Sequence, residues 1–321
     1  MPIVLRQIAN AVSLSVVAAA FVAIPLSSPA SPKGGRPLDI TLPGTRVFAE
    51  SLSSLSDGTI IVGSRGHNNV MRIPPNSGDA AEWIKPGTGG LGAVFGVFAD
   101  EKNKLLWVCS DKSPDTPVIS SVKTFDLKTG EPKGSYALPG DTAFCNDIAV
   151  RADRTTYISD TSQAAIWMLK PGATALEAAA KDPLLETIDG LAFGDKDNLY
   201  VNGVRTGKVV RVTLGKDGKS TSVVELTTPR KLVYPDGMRT IGKNRFLMAE
   251  GGGTMSIVTL DGKGGILLQD LKTGMASTPG VTLAKGVALV CEGKLNYMND
   301  PALKDKDPGT FKLFGVPLPK Q

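Results

Sequence analysis

One histidine, three cysteines and 6% aromatic residues in 321 positions leave little room for several common chemistries. The lone His67 and the scattered Cys109, Cys145 and Cys291 give no zinc-type spacing. No Ser/His/Asp nucleophile elbow and no dinucleotide fingerprint occur. The net charge of +5 comes without a dense Lys/Arg cluster, so the concentrated basic face that nucleic-acid binding needs is missing. Beyond the first thirty residues no apolar run is long enough to cross a membrane. No amphipathic helix of four turns stands out either; LEAAAKD near Leu176 comes nearest and is too short to matter.

What the chain has is glycine and proline, 36 and 22 of them, which suit many short strands and turns. Its 41% hydrophobic and 21% charged residues describe a globular protein. The start is a different material. Arg6 leads into ANAVSLSVVAAAFVAIPL and then Ser28-Pro29-Ala30, small residues suited to a signal peptidase. We read residues 1–30 as a secretory signal, with a retained anchor as the alternative, and residues 31–37 as a flexible leader. The expected location is periplasmic or secreted, with no membrane association once the signal is removed.

From residue 38 onward one layout recurs at intervals of roughly 42 to 51 residues, the period of propeller blades. Its copies are ESLSSLSDGTIIVGS from Glu50, FGVFADEKNKLLWVCSD from Phe95 and FCNDIAVRADRTTYISD from Phe144. The later ones are DGLAFGDKDNLYVNG from Asp189, DGMRTIGKNRFLMAE from Asp236 and TPGVTLAKGVALVCE from Thr278. Each is an apolar or alternating run, a turn and a second apolar run, the pattern of a β-hairpin. Third runs follow (NNVMRI, VKTFDL, AAIWMLK, GKVVRVTL, GTMSIVTL and KLNYM), with outer strands near Glu82–Ile84, Gly134–Leu138 and Ser222–Leu226. The expected fold is all-β: a six-bladed β-propeller of four-stranded antiparallel blades over residues 38–321. A β-sandwich predicts neither the six copies nor their spacing. In such a ring Cys109 and Cys291 would lie two blades apart, a poor geometry for pairing, so buried free thiols are expected for all three cysteines.

The first strand of each blade lines the central channel. Aligned by their second strands, the copies place Glu50, Phe95, Asn146, Asp189, Asp236 and Thr278 at one mouth. Three carboxylates this close repel unless a cation compensates them or their pKa values rise. A hard divalent ion suits this oxygen set: Ca²⁺ is the first choice, with Zn²⁺ or Mn²⁺ as alternatives. The bland alternative is that Asp-Gly and Asn-Asp merely make turns before the strands.

These motifs resemble the regucalcin/gluconolactonase family of six-bladed propellers, itself similar to paraoxonases and bacterial organophosphorus hydrolases. Glu50 matches the family's first-blade Glu, and Asn146-Asp147 its third-blade Asn-Asp-Gly, with Ile148 in place of Gly. Asp189-Gly190-Leu191 answers the fourth-blade Asn-Gly-Leu, and Pro235-Asp236-Gly237-Met238 the fifth-blade Pro-Asp-Gly-Met. The resemblance implies a divalent metal on Glu50, Asp189 and Asp236. It also implies Asn146 as a further ligand or substrate contact, Asp236 as general base, and hydrolysis of a lactone or related ester. Where the family's sugar-lactone members keep an Arg, this chain has Phe144. Phe95 and Phe144 at one mouth therefore point to a more apolar small-molecule substrate.

Loops from second to third strands return to the same mouth, bringing Arg65-Gly66-His67-Asn68, Asp160-Thr161, Asn202, Arg205 and Glu250–Gly253 around the ring. His67 reads either as a turn residue or as a proton shuttle or substrate contact. The runner-up function is a non-catalytic propeller that binds a small molecule or protein partner. A propeller oxidoreductase or a strictosidine-synthase-like enzyme is a third reading, the former disfavoured by the lack of a quinone or haem site. A monomer is expected.

Overall fold

The computed structural model describes residues 36–112 and 119–319. The expected signal peptide, and all but Arg36 and Pro37 of the expected leader, lie outside the described residues. Arg36 is held on the first blade: its guanidinium donates to the carbonyls of Ser77 at 3.2 Å and Pro74 at 3.0 Å, and also to that of Gly58.

Strand β1 (Ile40–Thr41) precedes a ring of six four-stranded antiparallel sheets. Blade one is β2 (Ala49–Ser54), β3 (Ile60–Ser64), β4 (Asn69–Ile73) and β5 (Ala81–Ile84). Blade two is β6 (Ala93–Asp100), β7 (Leu105–Asp111), β8 (Ser121–Asp126) and β9 (Pro132–Ala137). Blade three is β10 (Cys145–Val150), β11 (Thr156–Asp160), β12 (Ala165–Leu169) and β13 (Glu177–Lys181). Blade four is β14 (Ile188–Phe193), β15 (Leu199–Gly203), β16 (Val209–Leu214) and β17 (Ser220–Leu226). Blade five is β18 (Pro235–Gly242), β19 (Arg245–Glu250), β20 (Thr254–Leu260) and β21 (Ile266–Lys272). Blade six is β22 (Val281–Ala284), β23 (Val287–Cys291) and β24 (Lys312–Pro317). It takes β1 as its outer strand through the pairs Ile40↔Leu313 and Thr41↔Lys312. The six-bladed propeller expected from the repeat is the observed fold.

The packing follows from the sequence of each strand. Runs such as IIVGS in β3 and AIWML in β12 are buried along their whole length, because neighbouring blades cover both faces. The outer strands β9 and β17, with one face in water, are mostly exposed and alternate in character. Between them the core is a set of inter-blade layers. One joins Phe95, Trp107 and Cys109 of blade two to Ile148, Ile158 and Trp167 of blade three.

Four details depart from the sequence expectations. Cys109 and Cys145 are not free thiols: they form a disulfide that ties β7 to β10, with Cα atoms 5.2 Å apart. Inner strand β10 packs on the face of β7, a closeness that pairing by equivalent strand positions cannot reveal. Cys291 alone is free, and buried. KLNYM is not the third strand of blade six. Lys294 takes a left-handed φ of 49° and Asn296–Asn299 form a short helix, α1. Leu295, Tyr297 and Met298 pack onto the layer around Phe311, and β24 takes the strand position. LEAAAKD contributes the outer strand β13 rather than any helix. Finally, Thr278 sits one residue short of the ring. Val281 of blade six matches Met238 of blade five, because β18 carries an extra irregularity between Thr240 and Gly242 that β22 lacks. Pro279 therefore takes the ring position, and Thr278 instead donates its hydroxyl to the carbonyl of Glu250.

Candidate functional site

Each of the first five inner strands breaks register at the channel mouth: between Ala49 and Ser51, Val94 and Val97, Cys145 and Ile148, Ile188 and Leu191, and Pro235 and Met238. A bulge re-aims the side chains within it. The repeated bulge is what turns Glu50, Asn146, Asp189 and Asp236 inward, and all four are buried. Glycines in the following register position let adjacent inner strands close up. A Cβ on Gly190 would lie 2.3 Å from the carbonyl oxygen of Asp236, and one on Gly96 would lie 2.4 Å from that of Asn146. The four side chains line one void of about 10 Å³, with Ser51, Gly96, Asp147, Gly237 and Pro279 completing its wall. That is room for about one water or one ion.

Asn146 Nδ2 donates to Asp189 Oδ2 and to Thr161 Oγ1, each at 2.9 Å, and Thr161 in turn donates to the Ile188 carbonyl at 2.7 Å. Asn202 braces the same wall from behind. Its Nδ2 donates to the Asp236 carbonyl at 2.6 Å, and its Oδ1 accepts from Gly190 N at 3.1 Å. Glu50 Oε2 is buried and without a partner among the described residues. Burial pushes the Glu50 carboxyl up to about 7, with Arg65 pulling the other way. Burial, and then the neighbouring carboxylates, raise Asp189 and Asp236 well above the usual range, and the two share a hydrogen bond. Among the described residues no group of three or more His, Cys, Asp or Glu side chains stands in ready-made metal-binding geometry. What the ring does offer a cation is hard oxygens from four blades, one of them orphaned, around a void of ionic size. Those features fit a divalent ion of the calcium type.

One turn below the ring lies a contact with no signal in the sequence. Arg239 reaches across the channel from blade five to blade three. It pairs with Asp147 through Nη1–Oδ2 at 2.6 Å and Nη2–Oδ1 at 3.0 Å, both side chains being buried. The same guanidinium donates to Ser51 Oγ at 3.2 Å and to the carbonyls of Val97 and Leu52 at 3.1 and 3.2 Å. It closes the channel beneath the acidic ring.

Phe95 holds the ring register in blade two, but its side chain turns away, against Phe144, with ring centroids 4.6 Å apart in an edge-to-face contact. The Arg65 guanidinium stands over Phe95, 4.8 Å from the ring centroid. These residues, with Arg46, Asp111 and Met298, line a cleft of about 890 Å³. Asp111 is buried in its wall with Oδ2 unpartnered among the described residues, and burial pushes its carboxyl up to about 7. His67 turns elsewhere: its Nε2 lies 2.7 Å from the Thr45 carbonyl oxygen, and its ring packs beside Gly44. Asp160 accepts from Trp167 Nε1 and Glu250 from Arg230, both as parts of the scaffold.

Solved structures with this architecture carry several activities. The chain is similar to a gluconolactonase of Xanthomonas campestris, with a TM-score of 0.62 and 14% identity over 87% of this chain and 89% of that one. It is similar to a calcium-binding regucalcin of Agrobacterium tumefaciens, with a TM-score of 0.63 and 15% identity over 89% and 97%. A catalytically inactive histidine-to-alanine variant of virginiamycin B lyase from Staphylococcus aureus, bound to quinupristin, gives 0.59 and 16% over 86% and 83%. Identities this low establish the propeller fold. No protein-family model matches the chain. No curated protein matches it either.

Proposed function

We propose that this protein hydrolyses a lactone or a related ester with the help of a divalent cation held by Glu50, Asp189 and Asp236. The observation that carries this reading is the convergence of those three carboxylates and Asn146, from four blades, on one ion-sized void. The calcium-binding regucalcin and the gluconolactonase among the similar structures favour it. A bound cation would supply Lewis acidity at the scissile carbonyl.

The chain's own residues do the rest. Asn146, fixed by Thr161 and Asp189, presents its amide toward the reacting group. Asp236, whose backbone carbonyl accepts from Asn202, would take a proton from an attacking water. Arg239 and Asp147 cross the channel below the ring and would limit the approach of water from that side. The disulfide between Cys109 and Cys145 suits an oxidising compartment and so favours the exported, periplasmic or secreted reading.

A non-catalytic binding propeller is the second reading. It is favoured by the hydrogen-bonded, closely packed state of Asn146, Asp189 and Asp236 around so small a void. One experiment separates the two. A panel of aliphatic, aryl and sugar lactones is assayed with Ca²⁺, Zn²⁺, Mn²⁺ and chelator, beside calorimetric titration of each metal. Turnover that needs a metal and is lost in Asp236→Asn supports the hydrolase. No metal binding and no turnover above buffer leaves the binding reading.

A further inference from the structure

The cleft beside the ring is far larger than the void at its centre, about 890 against 10 Å³, and its chemistry differs. Its base is the edge-to-face pair of Phe95 and Phe144. Phe95 is the pivot, since its backbone holds a ring position in blade two while its side chain belongs to the cleft. A polar residue there would have extended the acidic ring; a phenyl instead places an apolar residue at the same register, one blade away from Glu50 and from Asn146. Phe144 directly precedes Cys145, so the disulfide to Cys109 fixes its backbone, and Asp160 Oδ1 accepts from its N–H at 3.1 Å. The aromatic pair is thus rigid before any ligand arrives, which lowers the ordering cost of binding.

Two polar groups flank it. Arg65 stacks over Phe95, 4.8 Å from its ring centroid, on the wall of the cleft. Asp111 Oδ2 has no partner among the described residues, and the side chain is enclosed in the wall, only 3% exposed. An apolar body with a few convergent polar groups is the form of a small-molecule site. The volume is several times that of an unsubstituted five- or six-membered lactone.

We infer that the substrate is a lactone or ester bearing a sizeable apolar substituent, aromatic in the best case. The substituent lies on Phe95 and Phe144 and is oriented by Arg65, so that the ester reaches the acidic ring. Arg65 donates to an acceptor on the ligand, and Asp111 offers an acceptor to any hydroxyl or amide N–H beside the apolar group. These four residues set specificity against sugar lactones, whose hydroxyls would face two phenyl rings without partners. The inference rests on the hydrolase reading for its chemistry, but the cleft's preference for an apolar ligand can be measured without turnover.

The test is calorimetric titration of the full chain in chelator with γ-phenyl-γ-butyrolactone, γ-butyrolactone and glucono-δ-lactone. The phenyl compound is expected to bind at least tenfold more tightly than either of the others. Phe144→Ala is expected to reduce that affinity about tenfold, with a lowered thermal midpoint but a cooperative unfolding transition that shows the fold to be kept, because Phe144 packs on Phe95 and is only partly buried. Arg65→Lys, which keeps the charge but loses the planar stack, should weaken binding rather than restore it. Equal affinities for the three compounds, or a Phe144→Ala protein that binds the phenyl lactone as before, would overturn the inference. Tight binding of the phenyl lactone with no turnover under any metal would sustain the inference while removing the hydrolase reading. Turnover of glucono-δ-lactone without binding of the phenyl compound would do the reverse.

Discussion

Arg239 and Asp147 form a two-pronged ion pair across the central channel, 92 residues apart in sequence and joined at 2.6 and 3.0 Å. Blades three and five are separated by blade four and otherwise meet only through it, so this contact braces the ring across the channel. Removing one partner strands the other charge in a buried site, whereas removing both does not. Arg239→Met is expected to lower stability by about 3–5 kcal/mol. The double variant Arg239→Met/Asp147→Leu should recover most of that loss. Urea midpoints of the three proteins decide it, and a single variant as stable as the parent would show the brace to be idle.

The acidic ring makes a second expectation. Metal-free protein carries mutual repulsion among Glu50, Asp189 and Asp236. Asp189→Asn should therefore raise the thermal midpoint in chelator, since it removes one like charge and keeps the hydrogen-bonding shape. If the proposed site holds Ca²⁺, the same change should abolish the stabilisation that binding would give the parent, about 2.7 kcal/mol at one hundred times Kd. Differential scanning calorimetry with and without calcium reads both effects, and they run in opposite directions.

Asp111 gives a pH signature away from the ring. Burial holds its carboxyl at about 7 in the folded protein, above the ordinary 3.8. The native state thus holds that proton more tightly than the unfolded chain does. Its contribution to stability is full below pH 3.8, declines as pH rises toward 7, and is gone above it. Asp111→Asn should flatten the fall in unfolding free energy between pH 4 and pH 7, measured by denaturant titration across that range. A parent profile no steeper than that of the variant would mean that Asp111 titrates normally.

The cysteines can be counted directly. Protein denatured without reductant should show one reactive thiol, Cys291, and three after reduction. In the native protein even Cys291 should resist thiol reagents, because burial pushes its pKa up. Replacing Cys109 and Cys145 by Ser is expected to cost about 2–4 kcal/mol. Three thiols without reductant would contradict the cross-link.

Much of this molecule can be read in its residues because a propeller repeats itself. Hairpin spacing and the Glu50, Asn146, Asp189 and Asp236 pattern repeat with the blades, and the structure brings these four side chains together as the alignment implies. What escaped depends on how blades face one another. The disulfide joins a second strand to the inner strand of the next blade, and Arg239 meets Asp147 across the axis, neither of which follows from alignment. Thr278 was misplaced because one added residue in β18 shifts the count between blades five and six. KLNYM carries strand-like residues, yet the turn at Lys294 sets them into a helical loop whose apolar side chains cover blade one. The His67 loop does return to the mouth, while its imidazole is taken up by Thr45.

The pairing of Ile40–Thr41 with Lys312–Leu313 has a consequence in time as well as in space. Blade six draws its outer strand from before blade one, so during synthesis five blades can assemble into an open arc whose two faces remain wet. Only when β24 has been made can the clasp shut and the last inter-blade layer, around Phe48 and Phe311, become dry. A contact of such long sequence separation is slow to form.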